Sequence, residues 1–156
     1  MKKNKKTETF IYDGLGFPIR LVNCPMKMVF GEWMLDINLG QLQRDILRLL
    51  VYKNQSLSGG ELRFIRKYFE LTTTAFGKAL GVTHAAVLKW ESEKGRIPPT
   101  TELCIRLFIL DKMKAKNEEF GRLYHKVTIE KLAKRQKIPL HDDLFEFNAN
   151  QKLASA

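Results

Sequence analysis

The sequence predicts a mainly α-helical protein with a small β-containing region at its N-terminus. Three observations support this fold class. The 156 residues are 44% hydrophobic, which is enough to form a folded core. Before residue 36 the chain is β-rich and broken by turn signals, whereas from Leu39 onward apolar residues recur at helical spacing. Residues 71–91 contain two short helix patterns separated by a glycine.

The N-terminal region has the composition of short strands joined by turns. Residues 9–12 and 17–22 are rich in β-branched and aromatic side chains, and the glycine-containing segment 13–16 between them indicates a turn. Residues 26–33 alternate loosely and are interrupted by Gly31. We therefore expect a small antiparallel sheet, followed by an amphipathic helix over 39–52 and a polar linker over 53–56.

A capping box marks the start of the next helix. Ser58 and Glu61 have the spacing at which the serine accepts from a backbone N–H and the glutamate reaches back to the cap. The following helix is expected to turn its apolar side chains inward and its basic ones outward. The inward set is Leu62, Ile65 and Phe69, and the outward set is Arg63, Arg66 and Lys67.

Residues 71–91 predict a helix-turn-helix. Thr72 is suited to cap a helix of about eight residues, Gly81 to end it in a left-handed turn, and Thr83 to cap a second helix. Gly77 is expected where the two helices approach most closely. The core shared by the two helices is predicted to contain Phe76, Leu80, Val82, Val87 and Trp90.

The remaining third of the chain predicts two more helices and a tail. Apolar side chains cover almost the whole circumference of the segment 101–115, which indicates a central core helix or a dimer interface. Asn117 and the two following acids predict a cap and first turn. The segment 140–148 contains three acids and is interpreted as a tail. The predicted domains are therefore 1–57, 58–116 and 117–156.

The helix-turn-helix resembles the lambda-repressor-like (Xre) family. Residues 80–91 run Leu-Gly-Val-Thr-x-x-x-Val-x-Lys-Trp-Glu, and residues 95–98 follow as Gly-Arg-Ile-Pro. The resemblance implies a five-helix lambda-repressor-like domain whose second motif helix enters the major groove of double-stranded DNA. It also implies a DNA-binding set, which comprises Thr73, Thr83, His84, Ala85, Leu88, Lys89, Lys94 and Arg96.

The roles within this set stay partly open. Thr73 is expected to touch a phosphate beside the helix N-terminus, and Lys94 and Arg96 to contact the backbone. Lys89 can donate to guanine or bind a phosphate. The apolar Ala85 and Leu88 can contact thymine methyl groups, or the helix can depend on DNA shape. Alternatively, Leu88 faces protein and His84 is a surface histidine without a special role.

The arrangement of a β-rich N-terminal unit, an amphipathic helix and an Xre-like domain resembles MqsA-type antitoxins of toxin–antitoxin operons. This resemblance implies a homodimer that represses its own operon through a palindromic operator and binds a toxin protein through residues 1–57. The cysteine pairs that hold zinc in those antitoxins are absent, so zinc does not carry over. The alternative is a stand-alone or phage-type repressor without a toxin.

Charge and motif content limit the other function classes. The net charge of +10 favours a polyanionic partner, and basic residues outnumber acidic ones in all three thirds of the chain. No nucleophile–base pair or phosphate-binding glycine loop indicates an enzyme, and we expect no cofactor or metal. Cys24 and Cys104 fit free thiols in a cytoplasmic protein, without a signal peptide or membrane span.

Overall fold

The structure is a computed structural model that describes residues 6–127, 131–132, 134 and 145–148. These residues form four strands and six helices. The strands are β1 (Lys6–Tyr12), β2 (Ile19–Val29), β3 (Glu32–Leu35) and β4 (Phe145–Asn148). The helices are α1 (Leu39–Val51), α2 (Gly59–Tyr68), α3 (Thr73–Leu80), α4 (His84–Glu91), α5 (Pro99–Lys112) and α6 (Asn117–Lys126).

The four strands make one mixed sheet around β2. β1 and β3 are antiparallel to β2, with pairs such as Ile11↔Arg20 and Met28↔Trp33. β4 runs parallel to the first part of β2, from Ile19↔Phe145 to Val22↔Asn148. The long central strand therefore holds together segments from both ends of the described chain.

β2 continues through Pro25, which lies just beyond an irregularity in the pairing of β2 with β1. The register shifts between Glu8 and Phe10, and Asn23 has a φ of 52°. The Asn23 N–H donates to the Thr9 hydroxyl at 3.1 Å. Proline lacks a donor and is tolerated beside such a bulge. Residues 19–22 and 26–29, which come from the separately predicted segments 17–22 and 26–33, therefore lie in one strand, β2.

A two-residue turn connects β2 to β3. Phe30 and Gly31 have φ values of 48° and 83°, and both values belong to the primed turns that match the twist of paired strands. Gly31, predicted to interrupt a strand, lies in this turn. The side chain of Phe30 is fully exposed at the tip.

The predicted fold class is wrong. The described residues contain six helices and a four-stranded mixed sheet, whereas a mainly α protein with a five-helix domain was expected. The predicted domain 58–116 contains four helices, α2 to α5. The expected tail contributes β4, because Phe145-Glu146-Phe147-Asn148 alternates apolar and polar residues with the period of a strand. Glu146 is exposed and Phe147 is buried, so the acid does not prevent pairing.

The chain divides into two compact units. Unit 1 contains 1–46 and 143–156, and unit 2 contains 47–142, so α1 begins in one unit and ends in the other. The buried apolar side chains of unit 1 include Phe17, Ile19, Leu21, Cys24, Leu42, Ile46 and Phe147. In the described residues, no helix combines the length and apolar character needed to cross a bilayer.

α5 differs from the prediction in which of its residues are buried. Ile105, Ile109 and Leu110 are buried as expected, but Cys104 and Leu107 are exposed. The charged Glu102 and Arg106 are fully buried and lie one turn apart, with their side chains 2.9 Å from each other. The helix begins at Pro99, where a proline is favoured because its missing N–H needs no partner.

Candidate nucleic-acid interface

α3, a tight turn and α4 form the predicted helix-turn-helix, and its caps are confirmed. The Thr72 hydroxyl accepts from Ala75 N at 3.1 Å, and the Thr83 hydroxyl accepts from Ala86 N at 3.1 Å. Gly81 ends α3 with a φ of 71°, which a residue without a side chain adopts readily. At α2, Ser58 and Glu61 form the predicted capping box.

Two glycines allow neighbouring segments to approach closely. A Cβ built on Gly77 would lie 2.7 Å from the Val82 carbonyl oxygen, so the predicted close approach at Gly77 is confirmed. A Cβ on Gly59 would lie 2.5 Å from the Glu91 carbonyl oxygen. The start of α2 therefore contacts the end of α4, and this contact was not predicted from the sequence.

The inner face of the motif is apolar. Phe76 and Val87 are fully buried, and Trp90 is buried as predicted for a core residue. Phe108 of α5 packs edge-on against Phe76, with ring centroids 5.7 Å apart. Leu80 and Val82, the other predicted core residues, are half-buried.

An ion cluster holds α4 against α2. The buried carboxylate of Glu91 accepts from Arg66 Nε at 2.6 Å and from Arg66 Nη2 at 3.1 Å. Arg66 Nη1 also donates to the Leu71 carbonyl at 2.9 Å, and Arg63 Nε lies 3.5 Å from Glu91. Bidentate pairs of this kind fix the relative orientation of the two side chains and also stabilise their contact. Arg66 was predicted to face outward, and that prediction is wrong because Glu91 is buried and requires a partner.

The residues predicted to meet DNA lie on the opposite, exposed side of α4. His84, Ala85, Leu88 and Lys89 are all exposed, so the alternative in which Leu88 faces protein is wrong. Thr83 is exposed. Its hydroxyl oxygen accepts the cap hydrogen bond from Ala86 N, and its hydroxyl proton can still be donated to another group. Thr73, the first residue of α3, is half-buried.

Basic residues follow directly at the C-terminal end of α4. The Lys89 side chain lies against Gly95, where an added Cβ would come within 2.7 Å of Lys89 Cε. Lys94 and Arg96 flank this glycine and are exposed. The Lys94 N–H donates to the Lys89 carbonyl at 3.0 Å. The segment 89–96 thus carries three cationic side chains, those of Lys89, Lys94 and Arg96, and also contains the exposed acid Glu93.

This arrangement suits contact with a polyanion. It offers a rigid, exposed helix with small and apolar side chains at its centre and cations at one end, and it is backed by a buried core. Among the described residues, no three His, Cys, Asp or Glu side chains are grouped as metal ligands. Comparison of the chain with protein-family models, curated proteins and solved structures finds no match.

Proposed function

We propose that the chain is a sequence-specific DNA-binding transcriptional regulator whose helix α4 enters the major groove. The observation that supports this most strongly is the exposed face of α4, which carries His84, Ala85, Leu88 and Lys89 while Val87 and Trp90 are buried behind it. The resemblance of residues 80–98 to the Xre helix-turn-helix supports the same function.

The surrounding residues have complementary roles in this proposal. Thr73 lies at the positive end of α3, where backbone N–H groups favour a phosphate. Lys94 and Arg96 contact the phosphate backbone and fix the position of the protein on the duplex. Lys89 contacts either a guanine edge or a phosphate beside that segment.

Binding to the DNA upstream of the chain's own gene tests this function. Fluorescence anisotropy across a range of salt concentrations should give an affinity that falls steeply with salt and exceeds that for random duplex DNA. Thr73→Ala should weaken all duplexes equally, whereas Lys89→Ala should reduce discrimination if Lys89 contacts a base. Equal affinity for every duplex, or no salt dependence, would contradict the proposal.

The proposed regulator is a homodimer that binds a palindromic operator. Two-fold symmetric binders of this kind place their recognition helices about 34–36 Å apart, one turn of DNA. Cys104 and Leu107 are exposed one turn apart on α5, and they supply an apolar stripe for a second copy. Light scattering should give a dimer mass at micromolar concentration that Leu107→Asp reduces to the monomer. A monomer in the unaltered protein would contradict this step.

A second proposed role is that of an antitoxin that represses its own operon and binds a toxin through residues 1–57. The supporting observation is the β2–β3 hairpin, whose Met28, Phe30 and Met34 side chains are exposed. Met28 pairs with Trp33 and Met34 pairs with Lys27, so the two methionines lie on opposite faces of the hairpin, with Phe30 at its tip. A partner that encloses the tip would cover all three apolar side chains, and exposed apolar groups of this kind are typical of protein-binding surfaces. A stand-alone or phage-type repressor is the alternative, and it gives this hairpin no partner.

Co-expression distinguishes the two roles. The product of a small adjacent reading frame should co-purify with the full chain, and Phe30→Asn should abolish this association. Asparagine tolerates the positive φ at this position, so the turn is preserved. Ile11→Asn, at an exposed apolar residue of β1, is the matched control. Unchanged association in Phe30→Asn would exclude the hairpin as the binding surface.

A further inference from the structure

The centre of the exposed face of α4 is apolar. Leu88 is 48% exposed, and Ala85, three residues earlier on the same face, is also exposed. Neither side chain can donate or accept a hydrogen bond. Val87 and Trp90 fill the core behind them, so the packing of the motif does not require a leucine at position 88.

The polar residues of this face lie at its two ends. His84 is the first residue of α4, and the Lys89 side chain lies along Gly95 toward the segment 94–96. Hydrogen bonds made by His84 and Lys89 at these ends do not reach the base pairs that face the centre of the helix. A helix that met the groove with this face would present methyl and methylene groups to the middle of its site.

Major-groove base edges offer one group that matches such a surface. Guanine, cytosine and adenine present hydrogen-bond donors and acceptors, whereas thymine adds a C5-methyl group. Removing this methyl and the exposed leucine from water together is favourable, because both are apolar. A polar base edge placed against Leu88 would instead lose its hydrogen bonds to water.

We propose that Leu88 and Ala85 form a contact surface for thymine methyl groups and so determine the sequence preference at the centre of each half-site. This inference rests on the proposed DNA-binding function and specifies the chemistry that the site recognises. It assigns discrimination to Leu88 and Ala85, and it leaves Lys94 and Arg96 to supply affinity that is independent of sequence.

Replacement of thymine by uracil in the duplex tests the proposal with the unaltered protein. A duplex is first selected by the full chain from a library of random sequence. It is then resynthesised with one thymine at a time changed to uracil, which removes the methyl group and preserves base pairing. One or two positions in each half-site should lose about fourfold in affinity per methyl group, and the other positions should show no change.

A double-mutant cycle links this loss to Leu88. Leu88→Ala should weaken binding to the thymine duplex but cause no further loss on the uracil duplex, because the methyl contact is already absent. Leu39→Ala is the matched control, since Leu39 is a 51% exposed leucine at the start of α1. This control should not change affinity for either duplex.

The outcomes separate this inference from the function on which it rests. A selected sequence whose binding is salt-dependent but insensitive to uracil at every position would overturn the inference and leave the proposed function intact. Equal losses from Leu88→Ala on the thymine and uracil duplexes would also overturn it. Failure to select any sequence would contradict the function as well.

Discussion

Two arginine–glutamate pairs in unit 2 differ in what they hold in place. Arg106 pairs with Glu102 on its own helix and donates to the carbonyls of Val51, Lys53 and Gln55. It therefore fastens the end of α1 and the linker that follows. Arg66 of α2 pairs with Glu91 of α4, which lies 25 positions later in the sequence.

The two pairs also differ in burial, and this difference determines how much stability should be lost when each arginine is replaced. The Arg106 side chain is fully buried, whereas the Arg66 side chain is 13% exposed and has Arg63 as a second cation near its glutamate. A buried charge that loses its partner of opposite charge destabilises a protein more than one that keeps a substitute. The comparison indicates that Arg106 mainly serves stability and Arg66 mainly serves the orientation of α4.

The largest effect is expected for Arg106→Met. The substitution removes the hydrogen bonds to the carbonyls of Val51, Lys53 and Gln55 and leaves Glu102 buried without this cation, so the free energy of unfolding should fall by about 3–5 kcal/mol. Urea denaturation followed by circular dichroism measures this change. Arg106→Lys keeps the charge but not the planar guanidinium group. Its free energy of unfolding should lie between those of the unaltered protein and Arg106→Met. A loss below about 1 kcal/mol would show that the linker is not held by Arg106.

A smaller loss of stability and a larger loss of function are expected for Arg66→Met. The free energy of unfolding should fall by about 2–3 kcal/mol, because Glu91 retains Arg63. At a temperature where the variant is still folded, its affinity for the selected duplex should decrease, since α4 loses the bidentate pair that fixes its orientation on α2. Anisotropy and urea denaturation on the same sample separate the two effects. Unchanged DNA affinity would assign Arg66 a purely stabilising role.

The features that could be predicted from the sequence are those that depend on neighbouring residues. Thr72, Gly81 and Thr83 cap or end their helices through contacts within a few positions, so their residue types identify them. The exposed face of α4 follows from the helical period once Val87 and Trp90 are placed in the core.

The features that were missed depend on partners far away in the chain. β4 pairs with β2 across more than a hundred residues, and nothing in 145–148 specifies that partner. Arg66 has the position of a surface residue on α2, and only the burial of Glu91 in α4 draws it inward. Arg106 lies on an apolar helix that gives no sign of the linker carbonyls around its guanidinium group. Local sequence thus predicts caps and faces, but it does not predict long-range ion pairs.

The smallest effect is expected for Arg63→Ala, and it tests why Arg66 is less costly to lose than Arg106. Arg63 is 53% exposed and lies 3.5 Å from Glu91, so its removal alone should change the free energy of unfolding by at most about 0.5 kcal/mol. In the Arg66→Met background, Arg63 is the cation nearest the buried carboxylate, and its loss should cost more. A double-mutant cycle measured by urea denaturation gives the coupling. Additive losses would show that Arg63 does not substitute for Arg66, and the difference between the two pairs would then have to come from burial alone.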